Sequence, residues 1–174
     1  MKNLKSILFI IFAFATLSII VSCSSDKKDD DNPLIPGNNS QITMTFNGDG
    51  YSNQAVTLSN GISSYSVGEN YTAILFSGKA GSDSVYFYVV FAGNQTGTKS
   101  WDNDNGVIMY KSSTSGSKSF MGVSNGTLTV SSYEGVGGKV SGTLSGQIVN
   151  AVDTTNTISI SNGTFSGTRI TDIP

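Results

Sequence analysis

Residues 41–174 predict an all-β domain, an antiparallel β-sandwich or flattened barrel of about nine strands. Three observations lead there. Apolar and polar residues alternate in short runs, Gly and Asn clusters punctuate those runs, and no stretch places apolar residues at the 3.6-residue spacing of a capped helix. The domain is 134 residues long, enough for one core that needs no disulfide.

Gln41 to Phe46 alternates, with Ile42, Met44 and Phe46 on one face, and Asn47-Gly48-Asp49-Gly50 follows as a turn. Ala55 to Leu58 reads as a strand closed by Asn60-Gly61. Tyr71–Phe76 and Ser84–Ala92 are apolar on both faces, as central strands are. Val107–Tyr110, Gly126–Ser132, Lys139–Asn150 and Thr157–Ile170 complete the set. In the last two, Gly142-Thr143-Leu144-Ser145-Gly146 and Gly163-Thr164-Phe165-Ser166-Gly167 are near-copies, which predicts neighbouring strands of one hairpin. Ile158 and Ile160 share a parity that Phe165 breaks, so a bulge is expected at Asn162-Gly163 to keep Phe165 inside.

The first residues describe an exported precursor. Lys2 and Lys5 precede an apolar run from Ile7 to Val21, and Ser22 stands immediately before Cys23. The run is 15 residues with Thr16 and Ser18 inside it, short of the roughly 20 a membrane-spanning helix needs. Residues 1–22 are expected to be removed as a lipoprotein signal peptide. Cys23, the only cysteine, is expected to carry a diacylglyceryl thioether and palmitate-type acylation, with the lipid bilayer as its partner. Two or more acyl chains anchor stably, at about 0.8 kcal/mol per buried CH₂.

Residues 23–40 then form an acidic, aromatic-free segment holding two of the three prolines, expected to be a disordered tether. Its residues 24–40 reach at most about 60 Å. Cys23-Ser24-Ser25-Asp26-Lys27-Lys28-Asp29-Asp30-Asp31 resembles the Lys/Asp-rich signal that sends Bacteroidetes-type lipoproteins to the outer face of the outer membrane. That resemblance implies cell-surface display.

Composition narrows the chemistry. The chain has no histidine, and Cys23 is assigned to lipid, which removes Ser-His-Asp and Cys-His nucleophiles and His/Cys zinc sites. The domain carries six Lys/Arg and eight Asp/Glu, no basic footprint for nucleic acid. Gly135 to Val140 lacks phosphate-loop spacing, and Ser115-Gly116-Ser117-Lys118 sits in a Ser/Gly-rich loop with no helix to align it. Glu69 and Glu134, the only glutamates, both lie beside turn signals. A non-enzymatic protein is expected, and a glycosidase would require two carboxylates facing each other in a cleft.

Gly126-Thr127-Leu128-Thr129-Val130, Gly138 to Gly146 and Ile158 to Ser166 resemble the closing strands of small, uncharacterised Bacteroidetes-type surface lipoproteins, in which a GKxSGTF strand precedes an xITNGxF strand. Gly97-Thr98-Lys99-Ser100-Trp101 matches more loosely, and Leu144 stands where phenylalanine is usual. The resemblance implies a β-sandwich with no established activity, so it assigns no catalytic residue.

Two candidate sites remain. Trp101, Tyr110 and Tyr133 are candidates for an aromatic platform under a sugar ring, which requires Trp101 to be exposed. The resulting alternative to an adhesive or structural lipoprotein, with an envelope protein as partner, is a carbohydrate-binding module serving glycan uptake. Asp102 and Asp104, two apart in Trp101-Asp102-Asn103-Asp104-Asn105-Gly106, offer oxygens to calcium. The competing reading there is an Asn-Gly turn into Val107. No other cofactor is expected. Asp83-Ser84-Val85 and Asp153-Thr154-Thr155 resemble O-glycosylation triplets of the same bacteria.

Overall fold

In a computed structural model that describes residues 40–174, the alternating runs become strands. The expected signal peptide, Cys23 and tether residues 24–39 lie outside the described residues. Ser40, expected to end the tether, belongs to the domain: it is buried, its hydroxyl pairs with that of Thr168 at 2.6 Å, and its carbonyl accepts from Gly61 N–H. Ten strands follow: β1 (Gln41–Gly48), β2 (Tyr51–Ser66), β3 (Tyr71–Ala80), β4 (Asp83–Ala92), β5 (Gly97–Ser100), β6 (Gly106–Ser113), β7 (Gly116–Gly122), β8 (Gly126–Tyr133), β9 (Lys139–Asn150) and β10 (Thr157–Ile173). The fold is all-β, and among the described residues there is no helix.

All ten strands belong to one sheet, in the order β1-β10-β2-β3-β4-β6-β7-β9-β8-β5, and β10 also pairs with β9 and β1 with β2. The β10–β9 ladder closes the sheet into a ring, the arrangement of a β-sandwich or flattened barrel. One edge of β10 is shared: Ser159 to Ser166 pair antiparallel with β1, and Thr168 to Ile173 pair parallel with β2. The sheet is therefore mixed. Asn60-Gly61 does not end a strand. It is a bulge within β2, between Ser59 and Ile62, with Asn60 at a φ of 57°. The expected bulge in β10 is present between Ile160 and Gly163, and Asn162 rather than Gly163 takes the positive φ, 53°. Phe165 is buried as a result.

The inward face of each strand fills the ring. Phe46, Phe76, Phe87, Phe91, Phe120, Ile74, Met109, Leu128, Ile148 and Ile158 are fully buried. Gly142 faces the Phe165 ring, where a Cβ would stand 2.8 Å from Cζ. Small barrels are filled in this way, by large side chains set against absent ones. The outward face of one wall is also apolar: Ile62, Leu75, Tyr88, Ile108, Met121 and Val149 are successive cross-strand partners over six strands.

Strand direction sorts the connections to two ends. One end gathers the β1–β2 and β3–β4 turns, the β6–β7 junction and the β9–β10 loop; the other gathers the β2–β3 and β8–β9 turns and the start of β6.

Candidate functional site

The structure does not bring Trp101, Tyr110 and Tyr133 together. Trp101 is only 4% exposed and belongs to the core. Its backbone N–H donates to Gly126 O at 2.9 Å, which ties it to the start of β8. Its indole ring lies on Gly122, Gly126 and Gly146, and a Cβ at Gly146 would stand 2.6 Å from Cζ3. The aromatic platform built on Trp101 is thereby overturned: three strands omit their side chains to seat the ring inside. Tyr133 is half-buried at the end holding the β8–β9 turn, edge-on to Phe91 with centroids 6.3 Å apart and with the Arg169 guanidinium 5.1 Å from its ring. Its hydroxyl meets that of Thr72 at 2.8 Å. Burial pushes the phenol up, against the opposing pull of Thr72 and Arg169.

The Asp102–Gly106 loop is a self-contained turn. Asp102 Oδ1 accepts from Asp104 N–H, Asn105 N–H and the Asn105 amide at 2.7, 2.8 and 3.0 Å. Asp104 Oδ1 accepts from the Tyr71 hydroxyl at 2.6 Å. Burial and then the Asp104 carboxylate raise the Tyr71 phenol. Asp102 Oδ1 thus serves the loop's own N–H groups, and Asp104 Oδ1 the Tyr71 hydroxyl on β3. Among the described residues no group of three or more acidic, Cys or His side chains is placed to hold a metal ion.

A charged cluster closes the end formed by the β1–β2 and β3–β4 turns. Lys111, an inward position at the end of β6, forms an ion pair with Asp49 and another with Asp83 at 3.4 Å, and its ammonium lies 4.8 Å from the Tyr51 ring. Lys118 and the Asn156 amide donate to Asp49 Oδ1 at 2.6 and 2.7 Å, and Tyr51 donates to Asp83 at 3.0 Å. Two carboxylates on one ammonium meet the distance a glycosidase needs. They lack the cleft, since the Asp49 side chain is 5% exposed and hydrogen-bonded from three sides. Ser115-Gly116-Ser117-Lys118 is likewise absorbed, with the Ser115 hydroxyl on Ser113 and Lys118 on Asp49.

Burial pushes the Asp49 carboxyl up, but Lys111, Lys118 and Asn156 outweigh it and hold it below the ordinary value. A carboxylate lowered on folding stabilises above its unfolded pKa and loses that contribution as pH falls through the folded one. The melting temperature should therefore stay level down to about pH 5 and fall below about pH 4. Asp49→Asn should flatten that acid limb in thermal melts across pH.

On the outer surface of β4, β6 and β7 lies a trough of about 330 Å³ lined by Ser84, Tyr86, Tyr110, Ser112, Ser117 and Ser119, with Lys111 and Lys118 at its edge. Tyr86 and Tyr110 are direct cross-strand partners, as are Ser84 with Ser112, Ser112 with Ser117, and Tyr110 with Ser119. Tyr86 is 54% exposed. Tyr110 is held edge-on by Tyr88, centroids 6.1 Å apart at 87°, and burial raises its phenol, so it stays protonated at neutral pH. Tyr110 was legible as a candidate. Tyr86 was not, because the strand around it reads as covered on both faces. No family model matches this chain, and no curated protein or solved structure matches it either.

Proposed function

We propose that the mature protein is a non-enzymatic lipoprotein, held at the outer membrane by acylated Cys23, that presents its β-sandwich as a binding or structural domain at the cell surface. The observation that carries the non-enzymatic part is the filled ring: its interior is occupied by phenylalanine and aliphatic side chains. The carboxylates at one end are tied to lysines rather than open to a substrate. A domain built this way offers its outer walls, and those suit recognition better than bond cleavage. The address rests on the sequence before Ser40, where a basic start, a short apolar run and a lone cysteine stand in order.

Cys23→Ser should reduce incorporation of labelled palmitate to background and leave the chain uncut, with Met1 to Ser22 still attached. Mass spectrometry of the wild-type protein should find Cys23 as the first residue, carrying the thioether. An unmodified thiol at Cys23, or an intact apolar N-terminus in the wild-type protein, overturns the anchor.

A further inference from the structure

We infer that the outer trough on β4, β6 and β7 is a subsite for a neutral pyranose ring, with Tyr86 as the stacking surface. The inference deepens the binding role proposed above. Tyr86 and Tyr110 supply adjoining aromatic faces, and a sugar with equatorial substituents turns a flat, apolar C–H face toward such rings. Ser84, Ser112, Ser117 and Ser119 border the rings with hydroxyls that both donate and accept, which matches the hydroxyl rim of the same sugar. At about 330 Å³ the trough falls at the small end of small-molecule sites.

Other occupants fit less well. An acidic ligand would need a free cation, but Lys118 is bonded to Asp49 at 2.6 Å and Lys111 is buried between Asp49 and Asp83. A peptide joining as a strand needs an unpaired edge, whereas β4 and β6, which carry the two tyrosines, are each laddered on both sides. The T-shaped packing of Tyr88 on Tyr110 fixes that ring before any ligand arrives, so little ordering is left for binding to bring about.

The test is isothermal titration of the full-length protein in lauryldimethylamine oxide, a detergent without a sugar headgroup, with cellotetraose, xylotetraose and polygalacturonate. Cellotetraose and xylotetraose should bind. Tyr86→Ala should weaken them at least tenfold, Tyr86→Phe less than threefold, and Thr143→Ala, exposed on β9, not at all. Melting temperatures establish that each variant is folded, and if Tyr86→Ala is not, Tyr86→Gln, which keeps bulk and removes the ring, carries the test with the same tenfold loss expected. Absence of binding by both neutral sugars, or binding indifferent to Tyr86→Ala, overturns the subsite. Preference for polygalacturonate overturns it too, because that requires a free cation. Palmitate labelling of Cys23 reads the anchor separately, so the subsite can fail while the lipoprotein reading stands.

Discussion

Lys111→Met is expected to lower the melting temperature by roughly 10–20 °C. The ammonium is the shared partner of Asp49 and Asp83 and is almost as buried as Asp49 itself, with side-chain exposures of 8% and 5%. Methionine preserves the length and packing of the stem, so the loss isolates the charge. It leaves Asp49 with Lys118 and Asn156, and Asp83 with the Tyr51 hydroxyl alone. Removing one member of a buried pair costs about 3–5 kcal/mol, mostly for the charge left behind. Adding Asp49→Asn should recover part of the loss, since asparagine tolerates the φ of 46° found there and still meets Lys118 and Asn156. Melting curves of the two single variants and the double variant check this. Strictly additive losses would mean that the ion pair contributes no coupling.

Gly126→Ala should destabilise by about 3 kcal/mol, and Gly126→Val should prevent folding. A Cβ at Gly126 would stand 2.1 Å from Trp101 Cδ2 and 2.2 Å from Cε3, and the ring has no retreat because Gly122 and Gly146 lie against its Cζ3 edge. Trp101→Ala should cost about 3–5 kcal/mol by the opposite route, an unfilled cavity over Gly122, Gly126 and Gly146. Trp101→Leu combined with Gly126→Ala should lose less than the two separately, because the smaller side chain makes room for the new methyl. Denaturant unfolding of the four proteins measures that coupling directly. Equal losses with and without Trp101 would show that the glycine serves some other purpose.

Strands with an alternating apolar face were legible, down to the parity break that put a bulge before Phe165. The strands that escaped, β5 and β7, contain Gly-Thr-Lys-Ser and Gly-Ser-Lys-Ser-Phe-Met-Gly. Their side chains announce nothing, and their backbones are recruited by β8 and β6. Ring closure was equally hidden, since the parallel β10–β2 ladder joins segments about a hundred residues apart and leaves no local trace. Trp101 was misjudged because it lies between strands, where a period of two gives no direction. The signal that would have placed it was the glycine at 122, 126 and 146, three gaps of one shape. Lys111 follows Val107-Ile108-Met109-Tyr110 in a strand, and only its inward parity with Val107 and Met109 foretold a buried charge.

The parallel ladder between β10 and β2 bears on biogenesis. β2 is among the first segments to leave the ribosome, yet its Ile62 to Ser66 stretch waits for Thr168 to Ile173, while residues 51–58 pair with β1 at once. During synthesis the early hairpins therefore emerge with an open flank at Ile62 to Ser66 that β10 seals last. Long-range pairing of this kind folds slowly. The delay leaves unpaired strands exposed, so the nascent polypeptide should depend on a holding chaperone until the circle is complete.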